Sequence, residues 1–202
     1  MRVADIFRSL QGEGRRQGLA TTFIRLAGCN LKCRWCDTAY ARTGGGEHSA
    51  DEVITRVKDL REPAICITGG EPLLQSEELL PIVEDLFYTG YTIEIETNGT
   101  FPFVQFQVFA SVTMDVKCPS SGEESDLSLL KGIHERDTVK FVVKDLDDCA
   151  YAESVLSAHP IRGEAVLSPV HGADYRAIAA FILESHIPVR LQIQLHKVIG
   201  VP

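Results

Sequence analysis

Gly28-Cys29-Asn30-Leu31-Lys32-Cys33-Arg34-Trp35-Cys36-Asp37-Thr38 places three of the chain's six cysteines within eight residues, at Cys-x3-Cys-x2-Cys spacing. Thiols this close, with too few residues between them for a helix or strand, predict a loop wrapped around one compact metal centre, and iron-sulfur clusters are held by such runs. The informative feature is the missing fourth ligand. A closed zinc site or a fully ligated cluster takes four protein ligands, whereas three thiolates leave one iron open to bind something else, and an open iron implies chemistry. A zinc loop with His48 or Cys66 as fourth ligand is the alternative that the spacing alone leaves standing.

The chain of 202 residues, 45% hydrophobic and 24% charged, has an ordinary globular composition and the length of one domain, 1–202. A formal charge of −8 argues against a bare nucleic-acid binder, because phosphate contacts need clustered Lys and Arg. The charge is uneven, however. Residues 1–50 hold eight Lys and Arg against four acids, so the segment around the cysteine loop is basic in an otherwise acidic chain, which suits a small anionic substrate. No apolar run approaches the ~20 residues of a membrane span, and no apolar signal region follows Met1, so a cytoplasmic protein without membrane contact is expected. In that reducing compartment Cys66, Cys118 and Cys149 are expected as free thiols packed like small apolar side chains.

Outward from the loop, strand and helix patterns alternate. Arg2–Phe7 and Thr21–Leu26 read as strands flanking Ser9-Leu10-Gln11-Gly12-Glu13-Gly14, whose two glycines mark a turn where backbone approaches a ligand. Gly44-Gly45-Gly46 reads as a flexible connector. Ser49 and Glu52 make a capping box ahead of Val53, Ile54, Val57 and Leu60, which predicts a helix over 50–60. The uncharged run Ala64–Thr68 predicts a strand buried on both faces, ending in Gly69-Gly70-Glu71-Pro72. Ser76–Tyr88 reads as a helix with Pro81 near its first turn or kinking it. Thr92–Thr97 reads as a strand before an Asn98-Gly99 turn. Strands follow at Ser111–Val116, Thr138–Val143, Ala165–Leu167 and Val189–Gln194, with helices at Asp126–Leu130, at Asp147–Ser157 and after the Asp174 cap. This order predicts an α/β fold with right-handed crossovers and a mostly parallel sheet, its functional residues at the carboxyl ends of the strands.

The Cys-x3-Cys-x-aromatic-Cys loop, with Trp35 as the aromatic, resembles the radical S-adenosylmethionine (SAM) superfamily. The resemblance implies the partial, modified β/α barrel of those enzymes, a 4Fe-4S cluster on Cys29, Cys33 and Cys36, and SAM on the open iron. Gly69-Gly70 resembles the superfamily motif that meets the SAM amino group through backbone.

Within the superfamily, Ser9-Leu10-Gln11-Gly12-Glu13-Gly14, then Phe23-Ile24-Arg25-Leu26-Ala27-Gly28-Cys29, then Trp35-Cys36-Asp37-Thr38 resemble the 7-carboxy-7-deazaguanine synthase family, over essentially the whole chain. That resemblance implies contraction of 6-carboxy-5,6,7,8-tetrahydropterin to 7-carboxy-7-deazaguanine with loss of ammonia, on the route to queuosine and archaeosine. SAM and magnesium are the implied cofactors. It also implies Leu10, Gln11, Gly12, Glu13, Arg25, Thr68 and Pro202 as pterin contacts, Pro202 through its carboxylate, and Thr38 as the magnesium ligand. Gly70, Asp115, Val116, Lys117, Ser168, Pro169, Val170 and His171 are the implied SAM contacts. An electron-donor protein such as flavodoxin or ferredoxin and a homodimer complete the expectation. Many members carry Ser-Pro where this chain has Asp115-Val116 before the lysine. A glycyl-radical activase, which shares the cysteine loop, and a non-catalytic zinc or iron-sulfur module are the rival functions.

Overall fold

The computed structural model describes all 202 residues. Its centre is one mixed sheet. Strands β1 (Arg2–Leu10) and β2 (Ala20–Leu26) pair antiparallel, and the short β3 (Gly46–Glu47) joins the outer edge of β1. From β2 the sheet runs parallel through β4 (Ala64–Gly69), β5 (Thr92–Thr97), β6 (Ala110–Val116), β7 (Thr138–Val143), β8 (Glu164–Pro169) and β9 (Arg190–Leu191). The strand order is β3-β1-β2-β4-β5-β6-β7-β8-β9, an open array and not a closed barrel. Helices α1 (Ala50–Leu60), α2 (Ser76–Tyr88), α3 (Leu146–Ala158) and α4 (Tyr175–Ser185) supply four of the crossovers, 3₁₀ turns serve those from β5 to β6 and from β6 to β7, and α5 (Leu195–Ile199) follows β9.

Strand pleating separates two chemistries. Side chains alternate faces along a strand, and one face carries Ile24, Leu26, Ile65, Ile67, Ile93, Ile95, Val112, Met114, Val139 and Phe141, all within the hydrophobic core beneath the helices. The opposite face is polar: Thr68 on β4, Glu94 and Glu96 on β5, Thr113 and Asp115 on β6, Lys140 on β7 and Ser168 on β8. The strand at 64–68 is buried on both faces through Ile67, as read, and only Thr68 at its end turns toward a cavity.

Several local expectations stand as read. The Ser49–Glu52 capping box is formed in both directions, at 3.2 and 2.8 Å, and α2 spans Ser76–Tyr88 with Pro81 inside it. Others change. β1 continues through Leu10, so Ser9 and Leu10 end a strand and do not open the turn. Gly44–46 is no free connector: Gly46 and Glu47 pair with Val3 and Arg2, and a Cβ on Gly45 would lie 2.7 Å from the Val3 carbonyl oxygen. The segment after Asp126 forms a 3₁₀ turn, Leu127–Gly132. The last strand shrinks to Arg190–Leu191, because Gln192 and Gln194 spend their side chains on the Gly12–Gly14 loop, after which the chain turns into α5.

That loop bridges the open side of the sheet. Gln192 brackets Gly14, accepting from its N–H and donating to its carbonyl, each at 2.8 Å, and Leu195 N–H donates to Gly12 O at 3.0 Å. Side chains and one backbone hydrogen bond, and no strand ladder, thus join the two edges around a cavity of about 460 Å³.

Candidate active site

The cysteine loop leaves β2 through Gly28, whose φ of +99° suits glycine. Its two ends meet: Gly28 N–H donates to Ala41 O at 2.8 Å, just past the 3₁₀ turn's start at Ala39. Its outer side is braced by the segment after β6. Arg34 N–H donates to Ser121 O at 2.9 Å, Lys32 N–H to Glu123 Oε1 at 2.8 Å, and the Trp35 indole to Ser120 Oγ at 3.2 Å. Ser120 is in turn held, through N–H and hydroxyl, by the buried carboxylate of Asp148 on α3.

All three thiols are half-buried, reduced and line the cavity. Burial raises the thiols of Cys29 and Cys33. No three Cys, His, Asp or Glu side chains close on a point at single-ion distance. A zinc ion with Zn–S near 2.3 Å would hold its sulfurs within about 4 Å of one another. A cluster takes one thiolate on each of three irons and leaves the fourth open, which matches three thiols on one loop. The alternative zinc ligands lie elsewhere. His48 pairs with Glu52 at 3.9 Å, and Cys66 is fully buried in β4. Cys118 and Cys149 are also fully buried, as expected of core thiols.

Gly69 and Gly70 have a packing role beside any ligand role. A Cβ on Gly70 would lie 2.1 Å from Gly28 O and 2.7 Å from the Cys29 Cβ, and one on Gly69 would lie 2.2 Å from Leu26 O. The glycines let the end of β4 press against the root of the cysteine loop. Next to them, fully buried Glu71 accepts from Leu73 N–H and Thr97 Oγ1 at 2.9 Å each and from Asn98 N–H at 2.6 Å. Burial raises its carboxyl, against these hydrogen bonds. Asn98 then donates to Asn30 Oδ1 at 3.0 Å, fixing the loop from inside.

The sequence-selected residues distribute as follows. Leu10, Gln11, Gly12, Glu13, Arg25, Thr38, Thr68, Gly70, Asp115, Lys117, Val170, His171 and Pro202 all line the cavity with the three cysteines. Val116, Ser168 and Pro169 do not: Val116 is packed in the hydrophobic core, and Ser168 is buried with its hydroxyl 3.5 Å from Glu13 Oε1. Pro202 sits at the mouth, its carbonyl oxygen accepting from Ser9 Oγ at 2.9 Å. Thr38 Oγ1 lies 3.9 Å from Cys36 Sγ.

Charge in the cavity is balanced in pairs. Lys140 donates to Glu13 and stands 4.0 Å from Asp115, which Lys117 contacts at 2.7 Å. Burial pushes the Glu13 carboxyl up, but the charge and hydrogen bond of Lys140 outweigh it and hold Glu13 below its ordinary value. Gln11 donates to Glu96 at 3.2 Å, and Thr68 Oγ1 reaches the same carboxylate at 3.2 Å. Two acceptors or donors are buried without partners, Asp115 Oδ1 and Arg25 Nε, both on residues of the cavity wall.

Residue-by-residue reading of the sequence missed Lys140, Glu96, His196 and Lys197, all on the cavity wall. Two of these carried a signal. A lysine inside the wholly buried strand Thr138–Val143, and the Ile-Glu-Ile-Glu alternation of β5, both put charge on one face of a central strand. His196 and Lys197 gave none; they reach the site because α5 folds back so that both meet Asp37, Lys197 at 2.9 Å and His196 at 3.6 Å.

A three-thiol loop leaving one strand of an open, mostly parallel sheet, with the ends of the following strands around one cavity, defines a radical SAM protein, and the Radical SAM superfamily model matches residues 23–116. Similarity to individual proteins is more specific. The chain is 49% identical to the 7-carboxy-7-deazaguanine synthase of Methanospirillum hungatei over all of this chain and 86% of that protein. It is 37% identical to that of Thermoplasma acidophilum over 98% of this chain and 97% of the relative. Among solved structures, QueE from Escherichia coli superposes with a TM-score of 0.77 at 25% identity, covering 96% of this chain and 94% of that one. This chain belongs to the 7-carboxy-7-deazaguanine synthase family.

Proposed function

We propose that the chain, as one radical SAM domain over 1–202, converts 6-carboxy-5,6,7,8-tetrahydropterin to 7-carboxy-7-deazaguanine with loss of ammonia, in 7-deazapurine biosynthesis. The observation that carries this is convergence: the three thiols, Gln11–Glu13, Arg25 and Thr68 share one cavity of about 460 Å³, within the size range of small-molecule sites. An activase acting on a partner protein would have no need of Gln11–Glu13, Arg25 and Thr68 converging beside the three thiols.

Cys29, Cys33 and Cys36 would hold the 4Fe-4S cluster, and with SAM it would supply a 5′-deoxyadenosyl radical in this cavity. The protein's own share is to bind, orient and exclude water. Gly70, Asp115, Lys117, Val170 and His171 form the SAM side. Val116, Ser168 and Pro169 contribute through their backbone or by supporting Glu13. The pterin side comprises Leu10-Gln11-Gly12, Glu13, Thr68 and Pro202, with Lys140 keeping Glu13 ionised as a hydrogen-bond acceptor. Arg25, whose planar guanidinium can donate two parallel hydrogen bonds, takes the substrate carboxylate. Thr38 is the magnesium ligand in this reading, substrate and water oxygens completing the hard-oxygen shell that the ion prefers. A low-potential donor such as flavodoxin or ferredoxin, a homodimeric assembly and a cytoplasmic setting belong to the same reading.

The decisive experiment is anaerobic incubation of the reconstituted, reduced protein with SAM, magnesium and the carboxytetrahydropterin. Mass spectrometry should find the deazaguanine product; its absence with an intact cluster and SAM cleavage would refute the substrate assignment.

A further inference from the structure

Arg25 is held in an unusual way for a cavity arginine. Its guanidinium lies over the ring of Phe7, 5.1 Å from the centroid, and meets Tyr40 at the hydroxyl end, 5.8 Å from that ring's centroid. Phe7 stacks in turn on Phe23, its β-ladder partner, with centroids 5.1 Å apart and rings 9° from parallel. Arg25 Nη1 donates to the Tyr40 hydroxyl at 2.6 Å, while Nε is buried without a partner. Nε and Nη2 form the edge that pairs side-on with a carboxylate. Tyr40 thus occupies the far end of the guanidinium and leaves the pairing edge uncommitted.

Tyr40 itself is 55% exposed, so core packing does not account for its placement. It sits in the 3₁₀ turn Ala39–Arg42, which Ala41 anchors by full burial and by hydrogen bonds to both ends of the cysteine loop, Ala41 N–H to Thr38 O at 2.9 Å and Gly28 N–H to Ala41 O at 2.8 Å. The ring is therefore delivered by backbone that is rigidly tied to the cluster loop.

We propose that Tyr40 is a positioning residue that orients Arg25 for the substrate carboxylate and registers that carboxylate against the cysteine loop; the proposal rests on the reading of Arg25 given above. Its hydroxyl fixes one guanidinium nitrogen while the Phe7 ring carries the cation on its face, so the remaining fork is preorganised before substrate arrives. Specificity for a carboxylated pterin follows, since a pterin without that group gains nothing from an oriented fork.

The test is anaerobic binding calorimetry on cluster-loaded protein with SAM, comparing 6-carboxytetrahydropterin with 6-methyltetrahydropterin, which lacks the carboxylate. Tyr40→Phe keeps the ring and removes the hydroxyl. It should weaken the carboxylated ligand about five- to tenfold, the scale of one typical net hydrogen bond, and leave the methyl ligand within about twofold. In turnover it should raise KM with kcat and iron content nearly unchanged. Arg25→Gln should weaken the carboxylated ligand more, and adding Tyr40→Phe to it should have no further effect. Wild-type binding of the carboxylated pterin by Tyr40→Phe, equal losses for both pterins, or additive losses in the double variant would overturn the proposal. If Arg25→Gln alone is silent, it is the assignment of Arg25 that fails; if Arg25→Gln loses affinity and Tyr40→Phe does not, only the role of Tyr40 fails.

Discussion

At the scale of single residues, the cavity depends on charges that burial makes expensive unless paired. Glu13 and Lys140 have side chains only 8% and 7% exposed, and breaking such a pair by removing one partner costs about 3–5 kcal/mol. Lys140→Met should therefore destabilise strongly at neutral pH. The pH dependence has a definite sign. In the wild type the Glu13 carboxyl is depressed, so its contribution is present above the unfolded carboxylate range, near 4.3, and is lost as pH falls through the lower folded value. Without Lys140, burial is left to raise the same carboxyl, and protonation then relieves the penalty. The stability gap between wild type and Lys140→Met, read from urea midpoints, should be widest near pH 7 and narrow below about pH 4.5. A gap independent of pH would mean that Glu13 is not the group left uncompensated. The cysteines divide by the same logic. Cys66, Cys118 and Cys149 are fully buried, and burial raises all three thiols, that of Cys149 to about 11. Replacing these three with Ala should preserve iron and sulfide content after reconstitution, whereas any one of Cys29→Ser, Cys33→Ser or Cys36→Ser should abolish it.

Between elements, the cysteine loop is shaped by its neighbours as much as by its own residues. Gly70→Ala would drive a methyl into the Gly28 carbonyl, which only a shift of β4 or of the loop can relieve, so a loss on the order of 2 kcal/mol or more is expected, with iron content falling in parallel. From the other side, α3 holds the loop through Asp148, Ser120 and Trp35. Asp148→Asn removes a buried acceptor that serves Ser120 and Lys144, and should cost about 1–3 kcal/mol. Trp35 is the chain's only tryptophan, so its emission reports the loop directly. A red shift is expected in the variant, and an unchanged spectrum would show that the Trp35 contact survives without the carboxylate. The capping box of α1 was fully legible because its two hydrogen bonds are local, between residues three apart. The Asp148 clamp was not, because it joins residues 28 positions apart that only the packing of α3 against the 3₁₀ turn Pro119–Ser121 brings together.

Across the whole molecule, the sheet stays open as a ladder yet encloses a cavity, because Gln192 and the α5 segment fasten the Gln11–Gly18 loop across the gap. Gln192→Ala should accelerate amide exchange in residues 11–18 and in α5 by about tenfold or more, leaving β4–β7 protected, since losing two buried hydrogen bonds lowers the local opening free energy without touching the core. The sequence by itself determined the three-thiol loop and the parallel architecture: cysteine spacing is local, and the periods of strand and helix are set by which residues can face a core. It also marked Arg25, Thr68, Asp115 and Lys117, which lie near strand ends that a parallel sheet must bring to one side, while Gln11–Glu13, after the antiparallel β1, were marked by their motif alone. Only the tertiary structure decided the rest. That Lys140 neutralises Glu13, that Tyr40 grips Arg25, and that Asp37 meets His196 and Lys197 depend on contacts between residues 127, 15 and about 160 positions apart. No local pattern encodes such pairings, for they exist only where strand pleat, sheet curvature and a turning C-terminal segment point distant side chains into the same small volume.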